Sequence, residues 1–353
     1  MKKIKLVAAI GLISALLIQK ADAQDIHFSQ FYMSPLTQNP ALTGAEHEIQ
    51  GTLNYKNQWA SVADPYTTIA GSFDMRLGKS KGNKGFWAFG INFYSDKAGD
   101  AQLGTTQANL SVAYHVWLAQ YSTLGGGLQL GYAQRSVNYS ALQWGNQYDG
   151  MDYNSTLPTG EPTNTSNSVS YLDGSAGINW NYDNTAGGIN VTDNHDLKAD
   201  VGFAMFHINQ PKYSFYNSSE QLYMRYVLHG NGLISLQNSN LALAPGFVMY
   251  LQGGAYEIYI GSLVRFKLKQ DSKYTGLMKS AAISLGAYYR AKDAIVAAML
   301  LEYSNYAMGI SYDINTSSLT PASNGRGGVE ISLRYVLPNP FYSGVSGATR
   351  SMY

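Results

Sequence analysis

The residues best suited to chemistry in this chain are six histidines, and their spacing supports neither catalysis nor metal binding. No two of them stand at the short separations that zinc sites use. His115 and His207, among others, fall within predicted strands, where a polar position facing a lumen explains them better than catalysis does. We therefore expect no enzyme activity, no cofactor and no metal site. The six are His27, His47, His115, His195, His207 and His229.

Two acidic clusters could hold a calcium ion weakly, because carboxylate and amide oxygens are the ligands that calcium prefers. They are Asp149 to Asn154 and Asp193 to Asp196. Neither has the full ligand spacing of a known calcium loop, and solvated turns are the stronger interpretation. The triplet from Gly125 to Gly127 is not a phosphate loop, since the Lys and the Ser or Thr that should follow it are missing.

A second group of chemically active residues consists of charges that stand between apolar neighbours. A charge in the middle of such a segment is costly against lipid and tolerated in a wet lumen. We therefore predict that these side chains point into the lumen of a barrel. A half-buried sheet with one solvated face would produce the same pattern. The residues are Glu257, Arg265, Lys267, Glu302, Glu330 and Arg334.

The elements that must position these charges are strands, because apolar and polar residues alternate along most of the chain. Successive side chains of a strand point to opposite faces, so the alternation places the apolar residues on one side. The pattern predicts an all-β transmembrane antiparallel barrel of about fourteen strands, within a range of roughly 12 to 16. The predicted strands are 48–57, 66–77, 84–96, 102–118, 121–134, 169–182, 198–210, 223–236, 241–251, 255–268, 280–290, 294–304, 306–314 and 328–337.

The chain divides into a leader, a barrel and two appendages. Residues 1–23 have a basic start, an apolar run and a small-x-small cleavage site, which together predict a signal peptide. Residues 24–47 precede the barrel, which we assign to residues 48–337. Pro338 should end the last strand, because proline cannot donate to a strand ladder, and this leaves residues 338–353 as a C-terminal tail.

The composition favours a membrane barrel over a soluble sandwich. Only 13% of the residues are charged, against about 25% in an ordinary soluble domain. The 28 tyrosines suit the aromatic girdles that flank the lipid-facing band of a barrel. A formal net charge of +1 gives no indication of nucleic-acid binding. We expect a lipid bilayer as one partner and no nucleic acid.

The lengths of the connections predict an orientation. If the mature N-terminus is periplasmic, the first strand runs outward and the longest connection, 135–168, lies on the outer side. Two inner connections, 183–197 and 269–279, are longer than usual for the periplasmic side. They suggest a surface for an inner partner, although plain variation in loop length is the stronger explanation.

Four segments carry a resemblance to a known family. Residues 24–44 read QDIHFSQFYMSPLTQNPALTG, and further matches occur at 289–294, 312–319 and 327–333. This order and spacing resemble the PorP/SprF family of Bacteroidetes outer-membrane proteins, and the matches together are more specific than any one short motif. The resemblance therefore rests on segments distributed along the whole mature chain.

The resemblance implies a location and a role. Family members are outer-membrane accessory proteins of the type IX secretion and gliding machinery. They support export or surface anchoring of a secreted adhesin that carries a type B C-terminal sorting domain, and some associate with secretion components in the periplasm. The family offers no catalytic residues. The alternative function is an outer-membrane channel for small solutes.

The first segment has no alternation of barrel length, so we expect an irregular or partly helical element. We predict that it lies in the periplasmic mouth, narrows the lumen and contacts a partner. The alternative is that its aromatic residues only stabilise the barrel. The residues singled out are Asp25, His27, Phe28, Ser29, Gln30, Pro35, Asn39, Pro40 and Gly44.

Overall fold

The structure is a computed structural model that describes most of the chain. The predicted leader, the tail 338–353 and the acidic cluster 193–196 lie outside the described residues. The described residues are 25–62, 64–77, 84–160, 167–184, 197–215, 219–236, 239–269, 280–318 and 320–337.

Fourteen antiparallel strands form a closed barrel, as the sequence predicted. Each strand pairs with its neighbours in the sequence, and β1 pairs with β14 to close the ring. The strands are β1 (Ile49–Gln58), β2 (Tyr66–Leu77), β3 (Gly85–Ala98), β4 (Leu103–Ala119), β5 (Ser122–Ser136), β6 (Ser168–Asp183), β7 (Leu197–Phe206), β8 (Arg225–Ser235), β9 (Leu241–Gln252), β10 (Ala255–Lys269), β11 (Ala281–Arg290), β12 (Ala294–Tyr303), β13 (Tyr306–Asn315) and β14 (Arg326–Leu337).

One predicted strand ends early. The sequence pattern extended β7 to residue 210, whereas the strand stops at Phe206. His207 and Gln210 both adopt positive φ values, 57° and 43°, which turn the backbone out of the ladder. Residues other than glycine seldom adopt this conformation. The alternation of residue types therefore did not predict where the strand ends.

The alternation predicted along the strands corresponds to the two faces of the barrel wall. In β5, Thr123, Gln129 and Ala133 are buried, while Leu128 and Leu130 on the opposite face are 69% and 59% exposed. Large apolar side chains are exposed in this way on every strand. This arrangement suits a wall whose outer surface meets hydrocarbon.

The connections define two ends of the barrel. We call the end at which β1 begins the proximal end, and the end at which β1 finishes the distal end. The shortest proximal turns have two residues, 120–121 and 304–305. The two longest distal connections are 137–167 and 207–224. A short helix, α1 (Thr320–Ser323), lies in the last distal connection.

Aromatic side chains gather on the outer surface near the proximal end. Tyr303 and Tyr306 flank one short turn and are 57% and 55% exposed. Tyr306 stacks on Tyr335, with ring centroids 4.6 Å apart. On another part of the wall, between β5 and β6, the indole Nε1 of Trp180 donates to Ser122 at 2.8 Å. Rings with polar edges suit the boundary between hydrocarbon and water.

The lumen is occupied by residues 25–47, which we call the lumen segment. It makes three 3₁₀ turns, Phe31–Met33, Pro35–Thr37 and Pro40–Leu42. Proline opens the second and third turns, where its fixed φ suits a helix start and its missing N–H costs nothing. The segment is therefore irregular and partly helical, and most of its side chains are buried.

The lumen segment runs from one end of the barrel to the other. Near the distal end, Lys56 Nζ donates to the carbonyl of His27 at 3.0 Å. Near the proximal end, Arg76 Nε donates to the carbonyl of Gly44 at 2.7 Å. The sequence predicted that this segment lies in the periplasmic mouth. In the structure, its backbone groups form hydrogen bonds and its aromatic rings pack along the whole inner face of the barrel. The structure therefore has a filled lumen and not merely a narrowed mouth.

Glycines in the wall make room for the lumen segment. A Cβ atom at Gly127 would overlap the backbone of Pro40 and Ala41, and one at Gly309 would overlap the Gln30 side chain. These positions face inward, where the segment approaches the strands most closely. Any larger residue at Gly127 requires the segment to move, because backbone atoms cannot rotate out of the way.

We predict that the outer face of β5 requires apolar residues. Leu128→Arg should destabilise the folded barrel by about 2–4 kcal/mol, the cost of a cation near the bilayer midplane. Met151→Arg serves as the control, because Met151 is 92% exposed in a distal connection. Denaturant unfolding in lipid vesicles measures both variants. Equal stabilities for the two would contradict the assignment of this face to lipid.

A second prediction concerns Gly127. Gly127→Val should displace the lumen segment and raise ion conductance in planar bilayers by at least severalfold. Gly126→Val should leave conductance unchanged, because a Cβ at Gly126 meets nothing within 4 Å and Gly126 lies on the exposed face. If the two variants behave alike, close packing between β5 and the segment is not what keeps the lumen filled.

Candidate functional site

The first described residue of the lumen segment is held by a cluster of ionisable groups near the distal end. His207 lies between two carboxylates: its Nε2 is 2.5 Å from Asp25 Oδ2, and its Nδ1 is 2.9 Å from Asp173 Oδ1. Arg225 Nη1 lies 3.6 Å from the same oxygen of Asp25. Gln252 Nε2 also donates to it, at 3.2 Å. We call these five residues the distal latch.

The distal latch is a charged unit at neutral pH. Burial alone would lower the pKa of His207, but the adjacent carboxylates of Asp25 and Asp173 outweigh burial and raise it to about 9. Burial alone would raise the pKa of Asp25, but His207 and Arg225 outweigh it and hold that pKa below its usual value. The imidazolium therefore bridges the segment and the wall through charge-assisted hydrogen bonds.

Arg225 connects the latch to the rest of the lumen segment. Its Nη1 donates to the carbonyl of Ile26 at 3.1 Å, and its Nη2 donates to the carbonyl of Thr37 at 2.9 Å. The guanidinium also lies over the rings of Phe206 and Tyr250, with its carbon 4.8 and 5.2 Å from their centroids. One buried cation therefore holds the segment at two places that are 11 positions apart in sequence, Ile26 and Thr37.

Glu330 of β14 accepts hydrogen bonds from the backbone at the start of the first 3₁₀ turn. Its two carboxylate oxygens accept from the backbone N–H groups of Ser29, at 2.7 Å, and Gln30, at 2.9 Å. Ser29 Oγ donates to Asp313 Oδ2 at 3.0 Å, and Asp313 pairs with Arg290 at 2.8 Å. Wall carboxylates thus satisfy N–H groups that a helical turn leaves without partners.

The third turn and the residues after it are held by hydrogen bonds farther toward the proximal end. Asn39 accepts from the N–H of Ala41 at 2.8 Å and donates to the carbonyl of Ile178 at 2.9 Å. His115 Nε2 lies 2.8 Å from the carbonyl of Thr43. Asp74 accepts from the N–H of Gly44 at 2.7 Å. The segment is therefore bound to the wall by specific hydrogen bonds along its length.

Apolar contacts also hold the lumen segment in the barrel. The Phe31 ring packs edge-on against Tyr288, with centroids 5.2 Å apart, and tilted against Tyr259 at 6.1 Å. Phe31 and Tyr259 are 1% and 0% exposed. Phe28 is 2% exposed, and Pro35 and Pro40 are also buried. One side of the lumen is thus packed like the interior of a soluble domain.

The structure places the charges expected to face the lumen on the inner side of the wall. Arg265 Nε donates to Glu302 at 2.6 Å, and His27 Nδ1 lies 3.2 Å from Glu257. Arg334 Nη2 donates to the carbonyl of Tyr32. Lys267 is half-buried on the same face of β10 as Arg265. Pairing between strands and contact with the lumen segment compensate these buried charges.

Sequence reasoning missed the partners that the wall supplies. Asp173, Arg225 and Asp74 were not singled out, although each is buried. Arg225 and Asp74 contact the segment, and Asp173 contacts His207. A polar residue at an inward position was the available signal. That signal identifies the face but not the partner, because the pairs join residues far apart in sequence, such as Asp25 and His207.

A cavity of about 190 Å³ lies beside the lumen segment and opens toward the proximal end. Tyr32, Pro35 and Gln38 of the segment form one side of it. The opposite side comes from β6 to β13, including Asn179, Leu263 and Leu300. Its volume exceeds that of a cavity that holds benzene, about 150 Å³.

The described part of the chain offers neither a metal site nor a membrane-spanning helix. Among these residues, no group of three or more His, Asp or Glu side chains is placed to hold a metal ion. Asp149 Oδ1 accepts from the N–H groups of Met151, at 2.9 Å, and Asp152, at 2.8 Å, so it stabilises its own turn. No helix within the described ranges is long and apolar enough to cross a bilayer.

The pKa of His207 predicts that the latch loosens with rising pH. Because this pKa rises from 6.5 to about 9 on folding, its stabilising contribution is complete below pH 6.5 and lost as the pH passes 9. The upper limit is about 3 kcal/mol, since one pKa unit is worth about 1.4 kcal/mol. The thiol of an Ile26→Cys variant should therefore react faster with a maleimide at pH 9 than at pH 6.5.

Two variants control this measurement. A Met151→Cys variant corrects for the intrinsic pH dependence of thiol reactivity, because Met151 is exposed. Adding His207→Gln to Ile26→Cys should abolish the remaining pH dependence. Corrected labelling rates that stay constant across this range in the protein with His207 would contradict the latch.

Several solved barrels are similar to this chain in shape, at low sequence identity. A KdgM porin has 7% identity and a TM-score of 0.36, with 81% of this chain and 99% of that chain covered. BamA from Haemophilus ducreyi lacking POTRA domains 1–3 has 9% identity and a TM-score of 0.42, with 82% and 70% covered. The Pseudomonas putida toluene transporter TodX has 10% identity and a TM-score of 0.44, with 86% and 92% covered. Likenesses this distant carry no information on function.

The family comparison is far more specific. No curated protein matches the sequence. The model of a family described as type IX secretion system membrane protein PorP/SprF matches residues 20–335. This range includes the whole lumen segment and nearly all of the barrel, which confirms the resemblance found in the sequence. The chain therefore belongs to the PorP/SprF family of type IX secretion system membrane proteins, and its location is the outer membrane.

Proposed function

We propose that this protein is a non-enzymatic accessory protein that supports export of a secreted adhesin and anchors it at the cell surface. The partner would carry a type B C-terminal sorting domain. Membership of a secretion-system family supports a role in secretion. The observation that favours binding over conduction is the filled lumen, in which the segment from Asp25 to His47 is hydrogen-bonded to wall residues along its length.

The proposal includes an orientation with the distal end outward. The two longest described connections between strands, 137–167 and 207–224, belong to that end, and outer-membrane barrels carry their longer loops outside. The first of these connections exposes apolar side chains. Tyr148 is 60% exposed and Met151 is 92% exposed, on a tip closed by a bridge between Tyr148 and Tyr153. This tip is our candidate contact for the secreted partner.

The alternative is a channel for small solutes. The cavity beside the lumen segment favours it, because part of the lumen is open to the proximal end. Against it stand Phe28, Phe31 and Met33, which are buried within the lumen. A channel would require the lumen segment to leave, which the latch and the Glu330 contacts oppose.

Two measurements test the proposal together. The affinity-tagged full chain, solubilised from native membranes, should copurify a surface protein that ends in a type B sorting domain. The purified protein should show almost no ion conductance in planar bilayers. Steady conductance together with no copurifying surface protein would establish the channel instead.

The contact at the distal tip has its own prediction. The double variant Tyr148→Ser and Met151→Ser should reduce retention of the partner at least tenfold, because it removes exposed apolar and aromatic contact area. Asn138→Ser, in the same connection, is the control. The measurement is the fraction of the partner that remains cell-bound after washing, at equal levels of the barrel. Unchanged retention would exclude the tip as the contact.

A further inference from the structure

One strand of the barrel wall lacks a neighbour near the distal end. β6 begins at Ser168, but its pairing with β7 begins only at Ala176, opposite Met205. On its other side, β6 pairs with β5 as far as Ser168. The wall of β5 and β6 therefore extends farther in the distal direction than β7 does. We call the side of residues 168–172 that faces away from β5 the free edge.

Backbone N–H and C=O groups point outward along the free edge. The N–H of Ile208 donates to the carbonyl of Gly174 at 2.9 Å, on the side of β6 that faces β7. Successive residues of a strand direct their backbone groups to opposite sides. The groups of Ser168, Ser170 and Leu172 therefore face the same side as those of Gly174. No residue of the described ranges forms a hydrogen bond with the backbone of Ser168 or Ser170.

A side chain takes the place of a strand where the ladder with β7 ends. Asn209 Oδ1 accepts from the N–H of Gly174 at 3.0 Å, and its Nδ2 donates to the carbonyl of Leu172 at 2.7 Å. A carboxamide thus occupies the position of the next peptide group of a neighbouring strand. The connection then turns to the lumen side, where the Tyr213 ring centroid lies 4.9 Å from the guanidinium carbon of Arg135. The connection itself does not continue the ladder.

The free edge lies at the level where the outer face of the wall changes from apolar to polar. Leu172 pairs with Tyr132 of β5, and the two are 60% and 55% exposed. The next outward pair toward the distal end is Ser170 and Gln134, both exposed. Unpaired backbone groups cost several kcal/mol each in hydrocarbon, whereas water satisfies them. The edge around Ser170 is therefore in water and accessible from the distal side.

We propose that the free edge binds an extended segment of the secreted surface partner, which adds to the wall as a further β-strand. This inference rests on the proposed function, which supplies the partner and the outward orientation of the distal end. Hydrogen bonds to the backbone of Ser168 and Ser170 provide the affinity, as in other complexes formed by strand addition. Residues 168–172 contain no charge or proline of the kind that protects exposed strand edges.

The free edge is continuous with the candidate contact at the distal tip. The connection 137–167, which carries Tyr148 and Met151, leads directly into Ser168. The carbonyl of Asn167 still accepts from the N–H of Val137 at 3.0 Å, so the wall extends into the base of this connection. One partner can therefore contact the tip and pair with the edge at the same time.

Two other occupants fit the free edge poorly. A second copy in the same membrane would be related by an axis along the membrane normal. Because strands of outer-membrane barrels tilt by about 35–45°, two such edges would cross at roughly 70–90° and could not form a ladder. The C-terminal end of the described chain lies across the membrane, since Leu337 pairs with Ile49 at the proximal end.

A proline at position 170 tests the free edge. Ser170→Pro removes an N–H that faces the edge and places a ring there. It preserves the ladder with β5, which uses the backbone groups of Val169 and Tyr171. Retention of the surface partner on washed cells should fall roughly tenfold, which corresponds to about 1.4 kcal/mol of binding. Ser170→Ala keeps the N–H and should retain the partner, at equal levels of inserted barrel.

Hydrogen exchange provides a second measurement on the unaltered protein. In the chain alone, the amides of Ser168 and Ser170 should exchange rapidly, because water is their only partner. In the complex with the copurified surface protein, both should exchange much more slowly. The amide of Val169 is the control, since it pairs with β5 and should be protected in both samples.

Three outcomes would overturn the inference. Equal retention by Ser170→Pro and Ser170→Ala would exclude strand addition, as would unchanged exchange at Ser168 and Ser170 in the complex. Protection of these amides in the chain alone would mean that the chain itself occupies the edge. In each case the surface partner still copurifies, so the proposed function is unaffected. Failure to copurify any surface protein would overturn both.

Discussion

Hydrocarbon gives backbone polar groups and ionised side chains no partners, and the rest of this structure follows from that constraint. The closed ring satisfies the backbone, because β1 pairs with β14 and no strand edge remains. It also directs the mid-strand charges inward, where Glu330 and Arg265 find partners. Closure of fourteen strands encloses a space too wide for wall side chains alone to fill. The lumen segment takes up much of that space.

The lumen segment and the wall satisfy each other's polar groups. A 3₁₀ turn leaves N–H groups without partners, and Glu330 of the wall would be a costly buried charge if it stood alone. Together they form hydrogen bonds of 2.7 and 2.9 Å. The same reciprocity holds at the distal latch, where His207 compensates Asp25 and Asp173. Removing one partner would therefore leave an uncompensated buried group in the other, which is why we regard the filled lumen as the stable state.

The sequence predicted the strands of the barrel more completely than the course of the lumen segment inside it. The two-residue alternation identified all fourteen strands, because one face must be apolar and the other tolerates Glu330 or Arg334. The alternation did not predict the early end of β7, because the positive φ of His207 cannot be read from its residue type. Pro35 and Pro40 indicated an irregular segment, but not its course along the lumen. That course depends on contacts across long sequence separations, such as Gly127 beneath Pro40, and alternation carries no information about them.

The most direct test of this account is a disulfide between the lumen segment and the wall. The chain contains no cysteine, so Ser29→Cys and Asp313→Cys form an isolated pair at positions whose side chains are 3.0 Å apart. Mild oxidation in intact outer membranes should link the two within a single chain, while Ser29→Cys with Met151→Cys should stay unlinked. A fully inserted barrel in which the thiol at position 29 never joins the thiol at position 313, yet reacts freely with a soluble maleimide, would contradict the account.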